Sequence, residues 1–197
     1  MVNRDKFFFF GFGQTAKYFI KELLVSKKKF KFDATNTKKT LQKSFKGKKF
    51  KSYKFKDKKY DKKLIDALNQ SDYILISIPP QKKKDIIIEN FNKILRKSKI
   101  KKLIYLSATS VYGNHNGKWV NESAKLKGTT KFGLGRKSVE KSWLNFQKVS
   151  KLNINILRVS GIYSKENNVI KKILNSNIYV KEEKYFSRIR IEDLACI

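Results

Sequence analysis

Four consecutive phenylalanines at positions 7–10 stand directly before a glycine-containing hexapeptide at 11–16, and this junction constrains the fold more than any other feature. A short, wholly apolar run is typical of a strand buried on both faces of a parallel sheet. Residues 15–25 then carry apolar side chains at helical spacing. The sequence therefore predicts a strand, a tight turn and a helix in immediate succession.

The hexapeptide Gly11-Phe12-Gly13-Gln14-Thr15-Ala16 matches the pattern G-x-G-x-x-A. In that pattern the first glycine permits a tight turn, the second lets the backbone approach a pyrophosphate, and the small third residue lets the helix pack on the strand. The pyrophosphate rests on the helix N-terminus, where free N–H groups and the helix dipole favour an anion. A purely structural turn is the alternative, but the position between a buried strand and an amphipathic helix favours a dinucleotide site.

Further along the chain, short apolar runs alternate with helical patterns. This alternation predicts an α/β fold, with a Rossmann-like, doubly wound parallel sheet between two helical layers. No internal repeat or long linker is visible, so residues 1–197 are expected to form a single domain. The further predicted strands are 30–32, 53–55, 73–78, 103–106, 154–159 and 178–180, and the further predicted helices are 38–45, one after Asp61, 82–96, 134–149 and 167–175.

Ligands of such sheets bind at the carboxyl ends of the strands, near the point where the strand order reverses. Small and polar residues cluster at those predicted ends, in segments 11–16, 34–37, 77–80, 107–113 and 160–163. The residues predicted to bind the cofactor are Gly11, Gly13, Gln14, Thr15, Ala16, Thr35, Thr37, Ser77 and Pro79.

The residues after the second strand bear on the choice between NAD and NADP. An acidic residue at that strand end would hold the adenosine ribose. Asp33 is the only nearby candidate, and it either reaches the ribose or sits one position too early, within the strand. Lys38 and Lys39 follow, and they can face a 2′-phosphate. These residues favour NADP over NAD.

Composition excludes several other classes of protein. Hydrophobic residues make up 40% of the chain and aromatic residues 13%, which is typical of a globular protein and not of a disordered one. Cys196 is the single cysteine, so no internal disulfide forms, and no Cys/His cluster has metal-ligand spacing. No apolar stretch is long enough to cross a membrane. A reducing cytoplasm fits this cysteine usage.

The net charge of +31 has two explanations, and both remain open. Lysine, asparagine and isoleucine all have AT-rich codons, and a genome with that bias would place lysine at tolerant surface sites. The other explanation is a surface selected to bind a polyanion. The densest block, residues 27–63, holds 17 lysines and three aspartates interleaved with aromatic residues. That mixture suits a single-strand nucleic-acid binder, and equally a half-buried strand with a lysine face.

Six segments occur in the order found in one enzyme family. They are the 11–16 turn, Ser77-Ile78-Pro79-Pro80, Leu106-Ser107-Ala108-Thr109-Ser110-Val111-Tyr112-Gly113, Trp119-Val120-Asn121-Glu122, Leu157-Arg158-Val159-Ser160-Gly161-Ile162-Tyr163 and Phe186-Ser187-Arg188-Ile189-Arg190-Ile191-Glu192-Asp193. Together they resemble the extended, atypical short-chain dehydrogenase/reductases of the NAD-dependent epimerase/dehydratase family, across nearly the whole chain. The resemblance implies an NAD(P) cofactor and a small-molecule substrate of the sugar-nucleotide type.

The family's catalytic residues are replaced in this chain. The family uses a Ser/Thr, a Tyr and a Lys four residues after that Tyr; the lysine lowers the pKa of the tyrosine, which moves a proton while the nicotinamide moves hydride. The family frame Y-G-x-S-K-x-x-x-E matches residues 132–140, with Phe132 at the tyrosine position and Arg136 at the lysine position. Ala108 stands at the serine position, and a one-residue shift would supply Ser107 or Thr109.

Ser107, Thr109, Tyr112 and Arg136 are therefore the predicted catalytic residues. Arg136 can bind a cofactor ribose or a phosphate. Tyr112 is either a substitute proton donor or a packed loop aromatic. The resemblance also implies a further C-terminal segment that closes the substrate pocket, so the chain is expected to be a fragment or to have a pocket open on one side.

Three functional hypotheses follow from the sequence. The first is an NAD(P)-dependent oxidoreductase or epimerase of the sugar-nucleotide type. The second is a non-catalytic dinucleotide-binding sensor or scaffold, which Phe132 favours because a phenyl ring has no proton to give. The third is a nucleic-acid binder that uses the 27–63 block, and it is weakened because no nucleic-acid-binding motif is present.

Overall fold

The computed structural model describes residues 4–81, 84–168 and 185–197, and within them the strands form one large sheet and one small one. The strands are β1 (Asp5–Phe10), β2 (Phe30–Asn36), β3 (Leu41–Phe45), β4 (Lys48–Lys56), β5 (Lys59–Tyr60), β6 (Tyr73–Ile76), β7 (Lys102–Ala108), β8 (Ile154–Val159), β9 (Gly161–Tyr163) and β10 (Arg188–Arg190). The large sheet has the order β3-β4-β2-β1-β6-β7-β8. All neighbours pair in parallel except β3 and β5, which pair antiparallel with β4. The strands β9 and β10 form a separate parallel pair.

Helices cover both faces of the large sheet. They are α1 (Gln14–Val25), α2 (Lys63–Asn69), α3 (Ile86–Lys97), α4 (Lys131–Ser150) and α5 (Ile191–Cys196). Apolar residues of α2, α3 and α4 pack on one face, whereas α1 packs on the other face and α5 packs against α1. The predicted three-layer, doubly wound α/β fold is therefore confirmed.

The phenylalanine run forms the central strand. Phe8, Phe9 and Phe10 are all fully buried, and their side chains alternate between the two faces of the sheet. Phe8 and Phe10 belong to the core under α2, α3 and α4, and Phe9 belongs to the core under α1. Burying one phenylalanine side chain stabilises a fold by roughly 1.5–3 kcal/mol. Because its phenylalanines point to both faces, this strand stabilises the packing of both helical layers on the sheet.

The predicted helix over 38–45 is wrong, because this segment contains β3, the first strand of a hairpin with β4. Lys46 and Gly47 join the two strands with φ values of 49° and 75°. Positive φ at both central residues is typical of the type I′ two-residue hairpin turn. Leu41 and Phe45 are four residues apart, which fits both a helix face and alternate positions of a strand, so their spacing alone could not distinguish the two.

Three element boundaries differ from those predicted from the sequence, two of them because a side chain caps a helix. The helix predicted over 82–96 begins at Ile86, since the Asp85 carboxylate accepts hydrogen bonds from the N–H groups of Ile87 and Ile88. The helix predicted over 134–149 begins at Lys131, where Thr130 Oγ1 accepts from Gly133 N. The strand predicted over 30–32 extends to Asn36.

Two predicted elements fall largely on residues 169–184, namely the helix over 167–175 and the strand near Ile178, and those residues lie outside the described part of the chain. Among the helices that the structure does describe, none combines the length and the apolar character needed to cross a membrane.

Candidate functional site

The glycine turn after β1 has the geometry that the sequence predicts. Gly11 has a φ of 89°, and a Cβ there would lie 2.8 Å from Ser77 Oγ, so only glycine fits without strain. Gly13 begins α1 without a side-chain cap, and a Cβ there would meet nothing within 4 Å. An uncapped helix N-terminus with open space beside its preceding glycine is an arrangement that can bind a phosphate.

Neighbouring side chains hold this turn in place. Gly11 N donates to Thr35 Oγ1 at 2.9 Å, and Ser77 Oγ donates to the Phe10 carbonyl at 3.1 Å. Gln14 Nε2 donates to Ser164 Oγ at 2.5 Å, just beyond β9. The structure thus brings Thr35, Ser77 and Gln14 to the turn, where their hydrogen bonds hold its backbone in place.

The remaining predicted cofactor residues differ in exposure. Ala16 is fully buried in the core between α1 and the sheet, which is the packing role expected of a small third residue. Thr15 is half-buried, and Pro79 is exposed beyond the end of β6.

A cavity of about 560 Å³ opens beside the glycine turn. Its walls come from three places: the turn, the end of β2 and the β3–β4 hairpin. The lining residues are Gly11, Phe12, Gly13, Lys17, Thr35, Asn36, Thr37, Lys43, Ser44, Phe45, Phe50 and Ser52. In a doubly wound sheet this position, at the end of the second strand, is where the adenosine half of a dinucleotide binds.

Asp33 lies within β2 and not at its end. Its carboxylate accepts a hydrogen bond from Lys51 N at 2.8 Å, and the residue does not line the cavity. Burial raises the pKa of this carboxyl above its usual range, although the Lys51 hydrogen bond opposes the shift. Of the two alternatives left open for Asp33, the structure has the one in which it sits too early in the strand.

The second half of the site lies where β7 ends. A short 3₁₀ turn, Thr109–Val111, follows β7, and α4 packs closely on it, because a Cβ on Gly133 would lie 2.5 Å from the Ser110 carbonyl oxygen. Arg136 Nη1 donates to the Leu106 carbonyl at 2.9 Å. The segments that the resemblance pairs at the active site, 106–110 and 132–136, therefore do meet.

The side chains at the positions of the family's catalytic residues offer few groups that can transfer a proton. Phe132 begins the first turn of α4 with 79% of its surface exposed, and its ring has no group that exchanges a proton. Ala108 ends β7 with a methyl group. Thr109 is half-buried beside it.

Behind these positions lies a buried polar network that the sequence did not reveal. Glu140 of α4 is 2% exposed and accepts hydrogen bonds from Ser107 Oγ at 2.5 Å and from Arg158 Nη2 at 3.0 Å. Arg158 Nη1 also donates to the Tyr112 hydroxyl at 3.1 Å and to the Glu122 carbonyl at 3.0 Å. Burial lowers the pKa of Arg158, but the hydrogen bonds to Glu140 and Tyr112 outweigh that effect and leave the pKa above its usual value.

The spacing of Glu140 along the sequence could have predicted this network. Glu140 is four residues after Arg136 and three before the buried Trp143, which places it on the inward face of α4. A carboxylate on such a face needs a cationic partner. Two of the predicted catalytic residues, Ser107 and Tyr112, are thus held by the network.

Three further basic side chains make contacts with nearby protein groups. His115 is half-buried in a loop, with Nε2 lying 3.1 Å from the Lys125 carbonyl. Arg190 pairs with Glu192 and Asp193 of α5, and Arg188 lies over the Phe186 ring. In the described segments, no group of three His, Cys, Asp or Glu side chains is placed to hold a metal ion.

The lysines of the 27–63 block form no close ion pair with a carboxylate of the described residues. The block itself is described in full. Lys38 and Lys39 line a second depression of about 470 Å³, together with Lys54, Lys58 and Lys59, and they do not line the cavity beside the glycine turn.

Comparisons with known proteins were made at three levels. No protein-family model matches the chain, and no curated protein matches it. Solved structures do match. A conserved protein of unknown function from Silicibacter pomeroyi DSS superposes with a TM-score of 0.77 at 25% identity, over 98% of this chain and 66% of that chain. This chain therefore spans about two thirds of that protein's length.

Two further structures are enzymes. A UDP-N-acetylglucosamine 4-epimerase from Methanobrevibacter ruminantium M1, in complex with UDP-N-acetylmuramic acid, gives a TM-score of 0.76 at 18% identity, over all of this chain and 72% of the other. A UDP-glucuronic acid 4-epimerase from Bacillus cereus, in complex with UDP-glucuronic acid and NAD, gives 0.75 at 16% identity, over 96% and 70%. At these identities the likeness shows that the chain shares the Rossmann-like fold of these two structures.

Proposed function

We propose that this chain binds a nicotinamide dinucleotide at the glycine turn and acts as an oxidoreductase or epimerase on a substrate of the sugar-nucleotide type. The observation that carries the proposal is the uncapped N-terminus of α1, which faces open space at Gly13 beside the cavity of about 560 Å³. Structural neighbours that bind NAD and UDP-sugars support the substrate class. NADP as the preferred cofactor and a cytoplasmic location remain parts of this proposal.

Cofactor binding is tested by thermal unfolding with NADPH and NADH. A bound cofactor stabilises the fold by RT ln(1 + [L]/Kd), which is about 2.7 kcal/mol at a hundredfold excess over Kd. We expect a clear rise in the melting temperature with at least one of the two. No rise with either cofactor would overturn the proposal.

The variant Gly13→Ala is expected to lose this stabilisation while the free protein unfolds almost normally. The new methyl group meets no protein atom within 4 Å, and the backbone of residue 13 is in an extended conformation that any residue adopts. It would occupy the space through which a pyrophosphate reaches the helix. Isothermal titration should show at least about tenfold weaker binding, a loss of about 1.4 kcal/mol. Unchanged affinity would mean that the pyrophosphate does not lie on this turn.

Proton transfer is assigned in this proposal to the Tyr112 hydroxyl. It is the first phenol after the end of β7 in sequence, and the Arg158 guanidinium donates to its oxygen at 3.1 Å. Arg136, held against the Leu106 carbonyl, would bind the cofactor ribose or a phosphate. Thr109 and Ser107 would supply hydroxyl groups at the end of β7.

The variant Tyr112→Phe tests this assignment. General acid–base groups contribute about 10²- to 10⁴-fold to a rate, so kcat for NAD(P)-linked turnover of UDP-sugars should fall at least about a hundredfold. Cofactor affinity should stay unchanged, because the ring and its packing remain. Tyr73→Phe, which removes a phenol at the amino-terminal end of β6, opposite the carboxyl ends of the strands, is the matched control and should retain full activity. Equal activity of both variants would remove Tyr112 from the chemistry.

A second function, cofactor binding without turnover, is favoured by one observation: Phe132 and Ala108 stand where the resemblance expects a tyrosine and a serine. It predicts that the natural chain binds cofactor but turns over no UDP-sugar. It also predicts that the double variant Phe132→Tyr/Ala108→Ser gains turnover, because it restores the phenol and the hydroxyl together. Turnover by the natural chain would exclude this second function.

A further inference from the structure

The β3–β4 hairpin brings a lysine to the cavity beside the glycine turn. Lys43 of β3 stands directly opposite Phe50 of β4, and residues in direct register share one face of the sheet. Phe50 packs against Phe12 of the glycine turn, with ring centroids 4.8 Å apart. Lys43 therefore lies on the α1 side of the sheet, where it lines the cavity.

The charged residues that line this cavity are both cationic. They are Lys43 and Lys17, which extends from the second turn of α1. No carboxylate lines the cavity in this fully described part of the chain, and the nearest acid along β2, Asp33, is engaged with Lys51 N. A ribose 2′-hydroxyl would thus lack the carboxylate that recognises it in NAD sites, whereas a 2′-phosphate would find an ammonium group.

Three further polar residues, Asn36, Thr37 and Ser44, line the same cavity as Lys43. The Asn36 amide is engaged within the protein. Its Oδ1 accepts from Lys38 N and Lys39 N, and its Nδ2 donates to the Lys39 carbonyl and to Ser52 Oγ, so it orients the turn after β2. Lys43 itself is exposed and has no ion-pair partner in the described chain, so its charge is available to a ligand.

We propose that Lys43, carried by this hairpin, recognises the 2′-phosphate of NADP(H) and makes the protein select NADP(H) over NAD(H). The inference rests on the proposed function, because it assumes that a dinucleotide occupies the cavity. It differs from the sequence prediction, which gave this role to Lys38 and Lys39; the structure has those two lysines on the second depression instead.

The test compares NADPH and NADH affinities, by isothermal titration, for the natural chain, Lys43→Glu and Lys58→Glu. The natural chain should bind NADPH more tightly than NADH. In Lys43→Glu, attraction of the phosphate becomes repulsion, so NADPH should bind at least about tenfold more weakly while NADH stays within about twofold. Lys58→Glu changes the net charge equally, but its site is the second depression. That variant should leave the ratio of the two affinities unchanged.

The outcomes distinguish a failure of the proposed role of Lys43 from a failure of cofactor binding itself. If NADPH and NADH bind the natural chain equally well, or if Lys43→Glu changes the affinity ratio no more than Lys58→Glu does, the role of Lys43 is refuted while cofactor binding stands. If neither cofactor binds, the proposed function and the role of Lys43 fall together. High salt should reduce the NADPH preference and leave NADH binding less affected, because an exposed charge pair is screened.

Discussion

Trp143→Ala is expected to destabilise the fold by about 4 kcal/mol, within the range measured for removing a large aromatic side chain from a core. Trp143 lies on the inward face of α4 and is 0% exposed. Its ring meets Tyr105 of β7 and Phe146 of α4, with centroids 6.2 Å and 5.8 Å away. Its Nε1 donates to the buried Asp85 carboxylate at 3.2 Å, so the variant loses a hydrogen bond as well as volume. Urea unfolding followed by circular dichroism measures the change.

The chain supplies a matched control in its other tryptophan. Trp119 is 102% exposed, and its replacement by alanine should change the free energy of unfolding by less than about 0.5 kcal/mol. Trp143→Phe keeps an aromatic ring but removes the donor to Asp85 and part of the indole volume, which together should cost at least about 1–2 kcal/mol. This variant keeps the prediction testable if Trp143→Ala does not fold. Similar losses for the 143 and 119 alanine variants would contradict the assigned packing of α4.

Glu140→Ala is expected to cost about 3 kcal/mol, because removing one partner of a buried ion pair leaves the other charge uncompensated. The value is at the lower end of the usual range since Arg158 keeps a fifth of its side chain in contact with solvent. The variant also removes the acceptor of the Ser107 hydroxyl. The same urea titration measures the loss.

A double-mutant cycle distinguishes this ion pair from simple loss of packing. Glu140→Ala/Arg158→Ala should be less destabilised than the sum of the two single variants, because no buried charge is then left alone. Glu89→Ala breaks an exposed pair with Lys84 and should cost less than about 1 kcal/mol. Strict additivity in the cycle would mean that Glu140 and Arg158 do not interact in solution.

Elements with a strong local pattern could be predicted from the sequence. The local sequence alone is sufficient to predict the strand that contains Phe7–Phe10 and the glycine turn after it. An apolar run must be buried, and the φ of 89° at residue 11 requires glycine. The strand Ile154–Val159 was predicted at its observed bounds for the same reason. The hairpin could not be identified, since Leu41 and Phe45 satisfy two periodicities and only the pairing with β4 decides between them.

The candidate site was predictable in position but not in its contacts. Strand ends identify the segments that meet, which is why Thr35 and Ser77 do reach the glycine turn. Side-chain partners depend on which elements become neighbours in the sheet. Lys43 reaches the cavity only because β4 pairs with β2, and Arg158 reaches Glu140 only because β8 lies beside β7 under α4.

The position of β3 at one margin of the large sheet has a consequence for self-association. Along its outer side, this strand leaves backbone N–H and C=O groups without a neighbouring strand in the described chain. Such a margin is a template on which another chain can add a strand and begin to aggregate. The cationic side chains of Lys43, Lys46 and Lys48 on and around this hairpin repel an approaching copy of the same margin, so part of the protein's large positive charge protects its sheet from its own copies.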